Sequence, residues 1–278
     1  NSKVEIISGD IRDQKFCTDI TKNVDIVYHL AALIAIPYSY SSPRSYIDTN
    51  CIGTLNMCQA ALDNNVKRIL HTSTSEVYGT AKYVPIDEKH PLQAQSPYSA
   101  SKIGADSIAM SFYNSFNLPL TIVRPFNTYG PRQSSRAIIP NVISQIVAKE
   151  KKITVGDISP TRDFSYVQDT CRAFVEIAGH DNTIGKIINT GSNSEISIFD
   201  LIQLIQSIMG SDLEVYQSKE RIRPLNSEVH RLFCDSSLLV ELTSFKNKFA
   251  LEEGLLKTVE WFRNDQNIKK YKTSIYNK

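Results

Sequence analysis

The sequence predicts an α/β protein: a doubly wound parallel sheet carrying a smaller C-terminal lobe. Three observations point there. Short apolar runs alternate with longer helical patterns over residues 1–125. The alternation changes character after Pro125, where shorter elements are interleaved. The chemically distinctive residues fall just after the apolar runs, and the carboxyl ends of strands are where doubly wound sheets bind ligands.

The runs at 4–7, 25–30, 68–72 and 120–123 have the length and apolar density of buried strands. Residues 13–22, 43–64 and 98–116 carry the helical patterns between them. Strand, helix, strand, helix in this order implies parallel pairing with right-handed crossovers. Beyond Pro125, helices are expected over 136–149 and 166–178. A strand at 153–155 lies between them, and one at 186–189 returns to the main sheet. Ser197 can cap a helix to Met209, followed by a strand at 213–216 and a helix at 251–262. The expected division is 1–128 for the sheet domain, with 163–190 returning to it, and 129–162 plus 191–263 for the second lobe. The polar, basic stretch 264–278 is expected to fray as a tail.

The 278 residues carry a net charge of +2 and are 41% hydrophobic, ordinary for a globular protein. A balance so near neutral gives no argument for nucleic acid or an anionic membrane surface as partner. No apolar run approaches the ~20 residues of a membrane span. The five cysteines, Cys17, Cys51, Cys58, Cys171 and Cys234, are scattered and odd in number. A reducing, cytoplasmic setting is expected, with no disulfide framework and no metal site.

Tyr98-Ser-Ala-Ser-Lys102 places a phenol and an ammonium four apart at a helix start, on one face. There the ammonium can lower the phenol pKa and make it an accessible base. His71-Thr-Ser-Thr-Ser-Glu-Val-Tyr-Gly79 follows a strand, and Thr74 is placed to orient a substrate alcohol toward Tyr98. His29-Leu-Ala-Ala32 follows another, with small side chains that let a cofactor backbone approach. Gly9-Asp10 follows the first, with a carboxylate for an adenine amino group.

Taken in order, Gly9-Asp-Ile-Arg-Asp13, His29-Leu-Ala-Ala32, Thr74-Ser-Glu-Val-Tyr-Gly79, Ser96-Pro-Tyr-Ser-Ala-Ser-Lys102, Arg124-Pro-Phe-Asn-Thr-Tyr-Gly-Pro131 and Arg162-Asp-Phe-Ser-Tyr-Val-Gln-Asp169 resemble the extended short-chain dehydrogenase/reductases. Within these the chain is similar to the NAD-dependent nucleotide-sugar epimerases and dehydratases, over nearly its whole length. The resemblance implies a Rossmann-type NAD domain and a C-terminal lobe that binds the nucleotide-sugar. Tyr98 would take the O4 proton as hydride passes from C4 to NAD, and Lys102 would hold the nicotinamide ribose. Asp10 and Ile11 would meet the adenine. Leu30, Ala31, Ala32 and Thr72 would line the dinucleotide, and Pro125 would sit near the nicotinamide. Arg162 and Arg223 would contact the diphosphate or uridine, because a buried diphosphate in a near-neutral protein calls for guanidinium forks. Asn127 would lie near the sugar or phosphate. Arg132, Arg221 and Arg231 are weaker candidates. The resemblance also implies a homodimer built on helices 43–64 and 98–116.

The family pattern opens with a glycine-rich turn, which has no match here. The first glycine, Gly9, follows what reads as the third strand. Two strands and their helices, roughly 40–60 residues at ~30 per βαβ unit, are therefore expected to lie outside this sequence. The chain as it stands is expected to bind NAD poorly, since that turn holds the pyrophosphate.

Three reactions of the family begin with the same C4 oxidation: 4,6-dehydration, decarboxylation of a uronic sugar, and 4-epimerisation. Loss of water after C4 oxidation needs a base at C5 and an acid at the C6 hydroxyl. Glu76, two residues past Thr74, is the candidate, although a loop or capping role also fits its position. The dTDP-glucose dehydratases carry Thr-Asp-Glu, and here Ser75 replaces the Asp. GDP-mannose dehydratases and UDP-glucuronate decarboxylases both show Thr-Ser-Glu. The compact approach to Tyr98 through Gln95-Ser-Pro resembles the dehydratases. The apolar segment Leu33-Ile-Ala-Ile-Pro-Tyr-Ser-Tyr40, with Pro131-Arg-Gln-Ser-Ser-Arg136, resembles the N-acetylglucosamine 4,6-dehydratases of legionaminic-acid-type pathways. Such a wall suits an N-acetyl methyl group. The expectation is a nucleotide-sugar 4,6-dehydratase (a hydro-lyase using bound NAD). The alternatives are UDP-glucuronate decarboxylase, 4-epimerase, or an inactive nucleotide-sugar-binding fragment.

Overall fold

The structure, a computed structural model, describes residues 4–271. Its first half runs α1 (Gln14–Ile20), β1 (Ile26–His29), α2 (Ile36–Ser41), α3 (Pro43–Tyr46), α4 (Gly53–Asp63), β2 (Arg68–Thr72), α5 (Pro97–Phe116) and β3 (Leu120–Pro125). The second half runs β4 (Asn127–Tyr129), α6 (Ile138–Val147), β5 (Ile153–Val155), β6 (Thr161–Arg162), β7 (Phe164–Tyr166), α7 (Val167–Gly179), β8 (Ile187–Thr190), β9 (Ile196–Ser197), α8 (Ile198–Met209), β10 (Val215–Gln217), α9 (Ser237–Thr243), α10 (Leu251–Arg263) and α11 (Asp265–Ile268).

The main sheet has the order β1-β2-β3-β8, all parallel. The pairs Ile69↔Leu120 and Ile122↔Ile187 set its register. Because strand side chains alternate faces, neighbouring residues feed different cores. Ile69, Leu120 and Ile122 pack with Met57, Cys58, Ala61, Ala109 and Phe112 of α4 and α5. Leu70, Val123 and Ile188 pack with Phe174 and Ile177 of α7 and with Leu239. Helices on both faces explain why β2 and β3 are buried almost throughout, their polar residues Arg68, His71, Thr121 and Arg124 included. A separate core joins α6, α8 and α10 through Ile139, Val142, Ile143, Leu201, Ile202, Ile205, Leu255 and Phe262. The small pairings β4–β7, β5–β10 and β6–β9 frame it.

α5 is fixed at its start with unusual care. Ser96 caps the Ser99 amide while Ser99 returns a bond to the Ser96 amide, and Pro97 occupies the first turn. The helix stops at Asn117 in the left-handed region (φ 55°). This buries Tyr98, Lys102, Ala105, Asp106 and Ala109.

Several expectations need correction. Residues 4–7 form no strand. The main sheet ends at β1, no described strand lies beside them, and Val4 and Ile6 stay 72% and 91% exposed. The expected single helix over 43–64 is interrupted by a π turn at Ile47–Ile52, whose extra residue turns Asn50 into the interior. The strand expected at 213–216 begins at Val215. The stretch after Asn264 is ordered in part, because α11 brings Tyr271 against Trp261 and Phe262; residues 272–278 lie outside the described ones. α2, α9 and the three small pairings were not anticipated. All five cysteines are free. Among the described residues, no helix is long and apolar enough to cross a membrane, and no acidic, His or Cys cluster is built to hold a metal ion.

Candidate active site

The carboxyl ends of β1, β2 and β3 deliver most of the expected site. β2 ends at Thr72. Thr74 then adopts an extended backbone and caps the short 3-10 turn Ser75–Tyr78, its hydroxyl accepting from the Glu76 amide at 3.2 Å. That turn brings Thr74, Ser75 and Glu76 back over the start of α5. The Thr74 hydroxyl is hydrogen-bonded to the Tyr98 phenol, and the Glu76 carboxylate is close enough to act on the same group. Lys102 is buried one turn along α5, donating from Nζ to the Thr72 carbonyl at 2.6 Å.

The electrostatics differ from expectation. Burial pushes the Tyr98 phenol well above its usual value, only partly offset by the Thr74 hydrogen bond, and Glu76 pushes it the same way as burial. The expected lowering by Lys102 is not found, because its ammonium is aimed at a backbone carbonyl and is itself desolvated, its pKa brought down to about 8. One face of the site is aromatic and apolar. Tyr98 meets Tyr46 edge-on at 6.2 Å between ring centroids, and Leu33 and Ile36 pack beside them.

Asn50, which sequence reasoning passed over, fixes the segment after β1. Its Oδ1 accepts from the Leu33 amide at 2.8 Å. Its Nδ2 donates to the Leu33 carbonyl at 3.0 Å and to Ser101 Oγ at 2.9 Å. Leu33, the residue after Ala32, is thereby tied through Asn50 to Ser101 of α5. At the far end, Asp10 and Ile11 sit near the start of α1. Asp10 lines a surface pocket with Arg12, Asp13, Asp48 and Ile52. Hydrogen bonds from Arg12 hold the Asp10 carboxyl at about 2. Ile11 packs where Gly53 has no side chain, since a Cβ there would come within 2.4 Å of it. Leu30 is exposed and Pro125 half-buried at the end of β3.

A dinucleotide site needs close backbone approach and unsatisfied polar groups at the strand ends. Both are present: Ala31 and Ala32 are small, and the buried Thr72 Oγ1, Asn127 Oδ1 and Thr190 Oγ1 have no partner. The residues present fit NAD along this line.

Of the arginines, Arg162 and Arg223 come together as expected, and a residue the sequence did not flag joins them. Glu228 Oε1 lies 3.1 Å from Arg162 Nη2 and 3.5 Å from Arg223 Nη1. Arg162 is buried, and Glu76 is among the charges acting on it. Arg231 is tied to Glu195, and Arg221 to the Thr154 carbonyl of β5, so neither faces this cluster. Arg132 is exposed, with a left-handed backbone (φ 69°), in the loop before α6. Asn127 opens β4, and its backbone amide donates to the Asp163 carbonyl.

Comparison with known proteins shows the family and the fold. The family model described as GDP-mannose 4,6 dehydratase matches residues 1–258. The chain belongs to that family. It thus stands among the NAD-dependent epimerase/dehydratase enzymes of short-chain dehydrogenase type. It is 31% identical to the human dTDP-D-glucose 4,6-dehydratase, over 96% of this chain and 78% of the relative. Its fold matches a dTDP-glucose 4,6-dehydratase of Streptomyces venezuelae solved with NAD bound (TM-score 0.84, 27% identity, 93% of this chain and 79% of the other). It equally matches a UDP-N-acetylglucosamine 4-epimerase of Methanobrevibacter ruminantium M1 in complex with UDP-N-acetylmuramic acid (TM-score 0.84, 33% identity, 92% and 82%). This architecture is thus shared with proteins named for at least two reactions.

Proposed function

We propose that this chain acts as an NAD-dependent nucleotide-sugar 4,6-dehydratase, turning an NDP-N-acetylglucosamine into the 4-keto-6-deoxy sugar. The observation that carries the reading is the convergence of Thr74, Glu76 and Tyr98 in one buried corner beside Lys102. Tyr98 takes the O4 proton, with Thr74 orienting the alcohol. Lys102 would hold the nicotinamide ribose. NAD, when bound, supplies the reversible hydride acceptor for C4. Glu76 removes the proton at C5, made acidic by the neighbouring ketone, and passes a proton to the departing C6 hydroxyl, directly or relayed through Ser75; the hydride taken from C4 is given back at C6 as C5 is reprotonated, so there is no net redox. Asp10, Ile11, Leu30, Ala31, Ala32, Thr72 and Pro125 would hold the dinucleotide. Arg162 and Arg223 hold the diphosphate, with Asn127 and Arg132 at its border. The apolar wall of Leu33, Ile36 and Tyr46 favours an acetamido methyl over a hydroxyl. Two copies pair across the helical stretch 43–64 and α5, where Ile47 and Ile52 of the π turn, Leu55 of α4 and Phe116 of α5 are exposed.

A second reading, 4-epimerisation, is favoured by one observation. Ser75, buried in the turn, offers no acidic donor to the C6 oxygen. One experiment separates the two: incubation with NAD and a panel of UDP-, GDP- and dTDP-sugars, read by product mass. Loss of one water from an N-acetylglucosamine nucleotide is expected. An unchanged mass with inverted C4 stereochemistry would replace the dehydratase reading with the epimerase.

A further inference from the structure

Beneath the reactive corner lies a second group of charges that the chemistry above does not use. Asp106 follows Lys102 by one helical turn on α5 and is buried. Its Oδ1 meets His71 Nε2 at 3.2 Å. Its Oδ2 accepts from Ser73 Oγ at 2.8 Å and from Arg124 Nε and Nη2 at 3.2 and 3.0 Å. His71 and Ser73 bracket Thr72, whose carbonyl receives Lys102, and Thr74 follows at once. Arg124 reaches on to the Tyr78 hydroxyl at 3.1 Å, and Tyr78 donates to Asn189 Oδ1 at 2.7 Å. The carboxyl ends of β2, β3 and β8 are all referred to one carboxylate.

We propose that Asp106 is a positioning residue for the reaction: it locks the strand end bearing Thr72, Ser73 and Thr74 to the helix bearing Tyr98 and Lys102, and supplies the anion that faces Lys102. A buried ion pair is weak evidence of stability, because apolar residues of similar volume often serve as well. What distinguishes Asp106 is where its donors sit, on either side of the carbonyl that holds Lys102. Lys102 is surrounded by His29 and His71, both held toward neutrality by burial, and by Cys51, whose thiol burial pushes up. Tyr98 lies on its own helix, and Arg124 behind Asp106. Against this background Asp106 opposes the desolvation of Lys102.

The inference rests on Tyr98 and Lys102 being the reacting pair, and its test has an arm that does not need turnover. The variants are Asp106→Asn, Asp106→Glu and Ser73→Ala in the whole protein. The readouts are steady-state kinetics and an NMR titration of carbon-13-labelled lysines, with the Lys102 signal assigned by its loss in Lys102→Met. Asp106→Asn is expected to lower the Lys102 midpoint by about one pH unit. It should reduce kcat about tenfold or more, with KM for the nucleotide-sugar within about twofold, and Asp106→Glu should recover most of the loss. An unshifted Lys102 midpoint overturns the proposal. Should Asp106→Asn fail to fold, Ser73→Ala keeps the Asp106–Arg124 pair and should lower kcat about threefold at constant KM; a wild-type kcat there overturns it as well. If the unaltered protein converts no nucleotide-sugar, the functional reading falls, and the Lys102 titration still decides the role of Asp106.

Discussion

Arg162 donates from Nη2 to Glu228 Oε1 at 3.1 Å, with only 7% and 14% of the two side chains left to solvent. With Arg223 on the same carboxylate, the cluster holds two cations and one anion. If it is the diphosphate site, Glu228 competes with the ligand. Replacing Glu228 with Gln should tighten binding of a free nucleoside diphosphate several-fold by calorimetry, most visibly at low salt. Weaker binding would mean that Glu228 itself contacts the nucleotide. Arg162→Ala should weaken binding roughly 10- to 100-fold, the ~1.5–3 kcal/mol of a hydrogen bond to a charged group.

Lys102 sits where an ammonium is disfavoured. Burial lowers its pKa from 10.5 to about 8, so the unfolded chain binds the extra proton between those values. Stability should therefore rise as pH climbs from 8 to 10.5, and the cost is fully present below 8. That cost is on the order of 3 kcal/mol at neutral pH, at 1.36 kcal/mol per pKa unit. Lys102→Met should melt higher than the wild type at pH 7 while losing activity. A lower melting temperature would show that the ammonium is better solvated than its burial implies.

Glu76 can be tested apart from the oxidation step. Glu76→Gln should slow release of the dehydrated sugar by about 10²-fold or more, the usual worth of a general base. Cofactor reduction at C4 should persist, so reduced-nicotinamide absorbance should build up in single turnover. Dehydration at the wild-type rate would return Glu76 to the capping role that its position also allows.

Asn50 holds the segment after β1 through three hydrogen bonds from a buried side chain. Asn50→Ala strands the Leu33 amide and carbonyl. It should cost about 2–3 kcal/mol in denaturant unfolding, the range for buried groups left unpaired. NAD affinity, measured by fluorescence quenching, should fall with it.

Most of the main sheet was legible because buried parallel strands advertise themselves. The runs at 68–72 and 120–123 are buried on both faces around apolar cores at Ile69-Leu70 and Ile122-Val123, and β2 and β3 begin where expected. The same criterion failed at 4–7, since an apolar run becomes a strand only beside a partner. The π turn was illegible because an inserted residue leaves the apolar spacing of 43–64 nearly unchanged. The Thr74–Tyr98 contact followed from motif order. Glu228 and Asp106 could not be read in the same way. Their roles depend on what crosses from other strands, and a lone carboxylate near an arginine or four residues past a lysine carries no local mark of it.

The two packing centres of this molecule are stitched together rather than hinged. From Leu120 onward the chain leaves the sheet near Pro125 and builds β4 to β7. It then returns as α7 and β8, departs again for α8, comes back as α9, and leaves once more for α10. Each passage is a tether, and several tethers at different points leave no single axis about which one part could swing. Ligand entry is then expected through local loosening of short surface segments, such as the stretch from Arg221 to His230 that carries Arg223 and Glu228. The rate of product release should then follow the stability of that stretch, not of the molecule as a whole.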